Sequence, residues 1–342
     1  MILISAALAA IGAVGCGKKD AGNTGQQITL NASGSSFQKQ FQEVAIEGFA
    51  KIARDVKINY GAGGSGKGRQ DFADQVTDYG CTDGLFKEAD LAKVKGGPFL
   101  YFPILLGAIT VSYHLDGVNK LQLSPETIAK IFQRDIKKWN DPAIAADNPD
   151  AKLPDADIVV AHRSDGSGTT EQFTRYLDAA AKDAWKLKSG STVEWPADTQ
   201  AGNGNGGVAQ IIKSTMNAIG YVDLPDAKAA SLTYASIKNQ TGKFIEPSSA
   251  SASAAGDGLD VKDDLTYVSV NAKGDAAYPI TAPTWCVAYA KQPDKAKGTA
   301  LKSYFKYMLT DGQALIKDID FAPLPRSLAD KAVAQLEKIQ GP

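Results

Sequence analysis

The chain is 342 residues long, enough for roughly two domains with a core each. Its 37 lysines and arginines against 38 aspartates and glutamates give a formal net charge of -1, without the basic excess of an ordinary nucleic-acid binder. Hydrophobic and charged fractions of 44% and 22% are those of a water-soluble globular protein.

Ile2 to Val14 is a continuous run of apolar and small residues, too short to cross a bilayer and suited to the core of a secretion signal. It ends at Ala13-Val14-Gly15-Cys16, which resembles a bacterial lipobox, where the cysteine is lipidated and becomes the new N-terminus. Residues 1–16 are expected to be a lipoprotein signal ending at the lipidation site Cys16, and residues 17–25 a polar tether. The fold then begins with a short strand, Ile28 to Asn31, leading into the loop Ala32-Ser33-Gly34-Ser35-Ser36-Phe37. Phe37, Phe41, Val44, Ala45, Phe49 and Ile52 recur at helical spacing. Val56 to Tyr60 alternates like a strand and delivers the chain into Gly61-Ala62-Gly63-Gly64-Ser65-Gly66-Lys67-Gly68. Arg69 to Val76 reads as helix, and Tyr79 to Thr82 as a strand ending at Asp83.

Phe99 to Leu115 is long, apolar and β-branched, suited to a buried strand or a crossing between domains. Ser124 followed by Pro125 opens a helix through Phe132. Ile158 to Ala161 is a strand that leads into Arg163-Ser164-Asp165-Gly166-Ser167-Gly168-Thr169-Thr170, after which Glu171 to Ala181 is helical. Gly202 to Gly207 reads as a turn-rich loop before a helix over Val208 to Asn217, and Ser248 to Gly258 as a surface loop. Thr284 to Tyr289 has strand character, and Lys295 to Met308 and Ser327 to Ile339 are helical in pattern. The alternation implies an α/β architecture with largely parallel sheets.

Three of these loops are built alike, from glycine and small hydroxyl residues just ahead of a helix. A helix N-terminus leaves its first N–H groups unpaired and carries partial positive charge. Glycine admits a ligand close to the backbone and Ser or Thr adds a donor, so three such loops, one with an arginine, suit a tetrahedral oxyanion. Other chemistries fit less well. Gly61, Gly63 and Gly66 match a dinucleotide fingerprint, but the segment after them is short for that unit. Gly61 to Lys67 nearly spells a P-loop, yet Gly68 stands where Ser or Thr would hold magnesium. Gly166-Ser167-Gly168 lacks the spacing of a nucleophile elbow. His114 and His162 are the only histidines and no cysteine pair has ligand spacing, so neither metal nor other cofactor is expected. With Cys16 lipidated, Cys81 and Cys286 remain, as a disulfide permitted by an oxidising compartment or as two buried thiols.

The loops, together with Lys137-Lys138-Trp139-Asn140-Asp141, Gly190 to Pro196, Ala218-Ile219-Gly220-Tyr221-Val222 and Tyr278-Pro279-Ile280-Thr281, resemble the phosphate-binding proteins of bacterial phosphate ABC transporters (PstS type). The resemblance runs from about Leu30 almost to the C-terminus. It implies a two-lobed periplasmic-binding-protein fold (type II-like), each lobe a mostly parallel sheet flanked by helices. Lobe I would comprise residues 26–107 and 278–342, and lobe II residues 108–277, with a hinge between them. By position it implies phosphate ligands at Ser36, Phe37, Ser65, Asp83, Arg163, Ser167, Gly168 and Thr169, with Asp165 orienting Arg163.

Chemically, the Arg163 fork fits phosphate oxygens. Asp83 makes sense only if the ligand carries a proton for it to accept, which phosphate does near neutral pH. Sulfate would leave it unpaired, at a cost of several kcal/mol. The implied function is capture of inorganic phosphate and delivery to an ABC permease, without catalysis, by a lipid-anchored monomer at the periplasmic or cell-surface side of a bacterial membrane. A receptor for sulfate, molybdate or a phosphate ester, or a phosphate-ester hydrolase, is the alternative.

Overall fold

The computed structural model describes residues 27–341, so the expected signal, Cys16 and the tether lie outside the described residues. Eight strands carry the architecture: β1 (Ile28–Gly34), β2 (Val56–Gly61), β3 (Tyr79–Thr82), β4 (Phe99–Tyr113), β5 (Val159–Arg163), β6 (Gln200–Gly202), β7 (Ala218–Asp223) and β8 (Thr281–Tyr289). They lie in one sheet in the order β2-β1-β3-β8-β4-β7-β5-β6, and the short strand Thr233–Tyr234 also pairs with β4. The two wings are parallel, β1 with β2 and β3, and β5 with β6 and β7. This is the pairing that strand–helix alternation produces. The centre is antiparallel, because β4 and β8 run in opposite directions and each pairs with its neighbours that way.

β4 belongs to both halves. Its first part, Phe99 to Ala108, pairs with β8, and its second, Ile109 to Tyr113, pairs with β7. From Phe102 onward every residue of β4 is buried, as are all nine of β8. That explains the continuous apolar, β-branched sequence, since strands covered on both faces lose the alternation of half-exposed ones.

Helices flank the sheet: α1 (Lys39–Ala50), α2 (Ser65–Ala73), α3 (Gly168–Ala180), α4 (Gly204–Ser214), α5 (Leu224–Ala229), α6 (Ser249–Ala254), α7 (Lys295–Leu309) and α8 (Arg326–Gln335). Phe41, Ala45 and Phe49 form the buried face of α1, as their four-residue spacing predicts. Three helices start earlier than the sequence pattern suggests: α2 begins at Ser65 rather than Arg69, α3 at Gly168 rather than Glu171, and α4 at Gly204 rather than Val208. The glycines are therefore the first turns of these helices rather than loops ahead of them. The reason is close packing, since a Cβ on Gly68 would lie 2.5 Å from the Gly34 Cα. The stretch Ser248 to Gly258 is also not a simple surface loop. Ser248 and Ser251 form a reciprocal capping box that starts α6, with Ser251 and Ala252 buried. A Cβ on Gly256 would meet Leu106 of β4 at 2.7 Å, so this segment packs on the central strand.

Candidate functional site

The first three loops arrive where the topology predicts, at the carboxyl ends of β1, β2 and β5. The loop after β1 turns through Ser35 and Ser36. The Gln38 N–H donates to Ser35 Oγ at 3.2 Å and the Lys39 N–H to the Ser36 carbonyl at 3.3 Å. Phe37 buries its ring against Phe321, centroids 5.4 Å apart, which fixes its backbone in the turn. The loop after β2 reaches α2 through Gly64, whose φ of +91° is open to glycine and strained for other residues. The loop after β5 enters α3 with Ser167 as N-cap. Its Oγ accepts from the Thr170 N–H at 3.0 Å, leaving its own hydroxyl proton available to donate.

Asp83, at the end of β3, is fully buried. Ser35 Oγ lies 2.6 and 2.7 Å from its two carboxylate oxygens, and Ser65 Oγ donates to Oδ2 at 3.1 Å. Gln172 Nε2 donates to the Asp83 carbonyl, and Thr284 of β8, whose Oγ1 accepts from Gln38 Nε2, also acts on the carboxyl. Burial pushes the carboxyl up from its ordinary range, against the pull of Ser35, Thr284, Ser65 and the Arg163 charge. Gly168, the first residue of α3, faces this carboxylate directly. A Cβ there would fall 2.4 Å from Ser65 Oγ and 2.5 Å from Asp83 Oδ2. An acid group thus stands against the positive end of a helix, and only glycine admits it.

Arg163 is equally enclosed, its side chain 1% exposed. Nε donates to Asp165 Oδ1 at 2.7 Å and Nη2 to Oδ2 at 2.5 Å, while Nη1 donates to Asn205 Oδ1 at 2.8 Å and reaches Thr169 Oγ1 at 3.4 Å. The Nε–Nη2 edge of the fork is therefore engaged by Asp165 and Nη1 by Asn205 and Thr169, which leaves the second Nη2 hydrogen for an anion. Burial acts to raise the Asp165 carboxyl. Its Arg163 hydrogen bonds, the Arg163 charge and the Gly204 N–H outweigh that and hold it below the ordinary carboxylate range.

The two groups of loops meet. The Gly66 N–H donates to the Gly166 carbonyl at 2.7 Å, and a Cβ on Gly64 would lie 2.2 Å from Asp165 Oδ2. The Asn205 N–H approaches Ser36 Oγ at 3.4 Å, which connects Ser36 through Asn205 to Arg163.

A family profile described as the PBP superfamily domain matches residues 19–312. The phosphate-binding protein PstS of Methanocaldococcus jannaschii is 36% identical over 341 residues, 92% of this chain and 87% of its own. That of Pasteurella multocida is 35% identical over 320 residues, 91% of each. This chain belongs to the PstS family. In fold it is similar to the phosphate-binding protein of Stenotrophomonas maltophilia, with a TM-score of 0.70 at 18% identity over 90% of this chain and 93% of that one.

The candidate site contains groups that sequence reasoning passed over. Ser35, which the sequence reading did not single out, joins Ser65 as a hydroxyl on Asp83, and Thr284 acts on the same carboxyl. Asn205 holds Arg163 on one side and donates from Nδ2 to the buried Asp223 at 2.6 Å on the other. Gly202-Asn203-Gly204-Asn205 has the same glycine and small-polar composition before a helix as the other loops, so the signal for a fourth loop was present.

Arg69 of α2 and Glu171 of α3 form a buried ion pair, Nη1 to Oε2 3.7 Å, with side chains 9% and 7% exposed. His162 stacks on Trp195 at 5.0 Å, with Nδ1 3.0 Å from the Arg163 carbonyl and Nε2 3.0 Å from Thr199 Oγ1. Burial lowers its pKa, and its contacts make it a strand-end brace for the arginine loop. Among the described residues no group of His, Cys, Asp and Glu is arranged to hold a metal ion.

Proposed function

We propose that this chain is a receptor for inorganic phosphate that passes its ligand to an ABC permease and performs no covalent chemistry. What carries this reading is a fully buried carboxylate, Asp83, set among hydroxyl donors against a helix N-terminus, with Arg163 contributing to its electrostatics. A fully deprotonated anion would be repelled by Asp83, whereas a hydrogen phosphate can donate its own proton to it and take the surrounding N–H and O–H groups for its other oxygens. Ser36, Ser167, Thr169, the N–H groups of Ser65, Phe37 and Gly168, and the second Nη2 hydrogen of Arg163 are the donors in this reading, while the Ser65 hydroxyl is held by Asp83. Asp165 is the positioning group. Relatives at about 35% identity named as phosphate-binding proteins agree with it.

Residues 26–107 and 278–342 act as one lobe and 108–277 as the other, joined by β4 and the segment entering β8. Closure brings the Arg163 loop onto the Ser65 loop and buries the ligand, and the closed shape is what a permease reads. The chain works as a monomer outside the cytoplasm, anchored to the membrane through lipid on Cys16.

Calorimetric titration of phosphate-stripped protein with phosphate and then sulfate tests the assignment. One-to-one phosphate binding with sulfate at least a thousandfold weaker is expected, about 4 kcal/mol of discrimination. Equal competition by sulfate would remove the role given to Asp83, and no phosphate response from folded protein would remove the assignment itself.

A further inference from the structure

Cys81 and Cys286 are directly opposite one another in the antiparallel pair β3–β8, and both are fully buried. Their sulfurs lie 3.3 Å apart as thiols. Directly opposed residues of antiparallel strands have Cα atoms about 4.5–5.5 Å apart, inside the 4.4–6.8 Å range that a disulfide spans. Side-chain rotation is therefore enough to close the gap to a bond of about 2.0 Å. Gln42 Nε2 contacts both sulfurs at 3.5 Å, and Met308 and Tyr304 close the same pocket through that glutamine.

We propose that Cys81 and Cys286 form a native disulfide when the chain folds under oxidising conditions, stapling the two strands that end at the anion site. That the cell supplies such conditions rests on the export reading above. Cys81 precedes Asp83 by two residues and Cys286 follows Thr284 by two. The bridge thus sits two residues behind Asp83 on β3 and two residues beyond Thr284 on β8, and fixes one strand against the other there.

The chemistry is thiol–disulfide exchange with a small-molecule or protein disulfide. One cysteine thiolate attacks the oxidant, forming a mixed disulfide and releasing one thiol. The second thiolate then attacks the protein sulfur of that mixed disulfide and releases the other thiol. In sum, two protein thiols and one oxidant disulfide give one protein disulfide and two oxidant thiols. The two electrons and both thiol protons pass to the oxidant. Burial raises the Cys81 thiol well above its ordinary pKa and hides both sulfurs from reagents. The exchange therefore belongs to the folding chain, before the pocket around Gln42 closes.

The test uses the protein unfolded and reduced, then refolded in an oxidised and reduced glutathione mixture. It is trapped with iodoacetamide in denaturant and measured by peptide mass spectrometry. The expected result is a Cys81–Cys286 linked peptide that resists alkylation, with a higher guanidinium midpoint than the same protein after reduction. Protein that is first folded in the reduced state should stay unbridged for hours in the same mixture. Quantitative alkylation of both cysteines after oxidative refolding overturns the proposal. So does an identical midpoint with and without the bond. Phosphate titration of the oxidatively refolded sample separates this inference from the receptor reading: binding with both cysteines alkylated overturns the bridge alone, and a linked peptide with no binding in either the bridged or the reduced protein overturns the receptor alone.

Discussion

The Arg69–Glu171 pair offers the sharpest test of lobe closure, because its partners come from different helices on the two sides of the site, α2 and α3. Opposite charges about 4 Å apart attract by about 4 kcal/mol at an effective dielectric constant of 20. Desolvation offsets much of this, since both side chains are more than nine-tenths buried. Arg69 keeps hydrogen bonds to Thr82 Oγ1 at 2.8 Å and the Gly84 carbonyl at 3.4 Å, and Glu171 keeps Arg175 at 3.3 Å. A net contribution of about 1–2 kcal/mol remains, of the size seen for charge-assisted contacts.

If closure forms this pair, that amount belongs to ligand binding rather than to the stability of the open protein. Glu171→Gln, which keeps the volume, should then raise the phosphate Kd about 5–30-fold while leaving the Tm of stripped protein within a degree or two. Isothermal titration paired with small-angle scattering is the assay, and scattering should show the variant needing more phosphate to reach the compact form. A Kd unchanged within twofold alongside a lowered Tm of stripped protein would show instead that the pair is already made without ligand.

Gly168→Ala should abolish tight phosphate binding with little change in the circular dichroism of the stripped protein. Its Cβ would intrude to 2.4 Å of Ser65 Oγ and 2.5 Å of Asp83 Oδ2, and calorimetry with a Kd near wild type would contradict that packing. Asp83→Asn should raise the Tm of stripped protein at pH 8 while narrowing the preference for phosphate over sulfate, the stability–function exchange expected of a binding site. The sign follows from burial, which raises the folded carboxyl's pKa above its value of 3.8. The native state then holds the proton more tightly than the unfolded chain. Stability falls as pH rises through that window, and the advantage of Asn should shrink on acidification; thermal scans from pH 4 to 8 check this. Asn205→Ala removes the acceptor for Arg163 Nη1 and the donor to Asp223. It should weaken phosphate binding by about tenfold, the effect of losing one charge-assisted bond, and titration of the folded variant decides it.

Strands and helices were legible in this chain because their signals are local. The four-residue repeat of Phe41, Ala45 and Phe49 marks the buried face of α1, and the β-branched run of β4 marks a strand covered on both sides. Helix starts were less legible where glycine opens a helix, because the choice between loop and first turn at Gly204 and Ser65 depends on what packs against them. The anion loops were readable as chemistry, and the resemblance to phosphate-binding proteins assigned their residues.

The groups available to the site could be read along the chain: three glycine–hydroxyl loops ahead of helices, one arginine with its aspartate two residues on, and an acid at the end of β3. Which of them meet is set by the way the chain packs. Ser35 and Thr284 reach Asp83 from 48 and about 200 residues away along the chain, Asn205 reaches Arg163 from 42, and Cys81 faces Cys286 across 205. Residues so far apart carry no shared local pattern. Their contact is set by strand register and by the approach of the two halves along β4 and β8, and register is fixed when apolar faces are buried against one another.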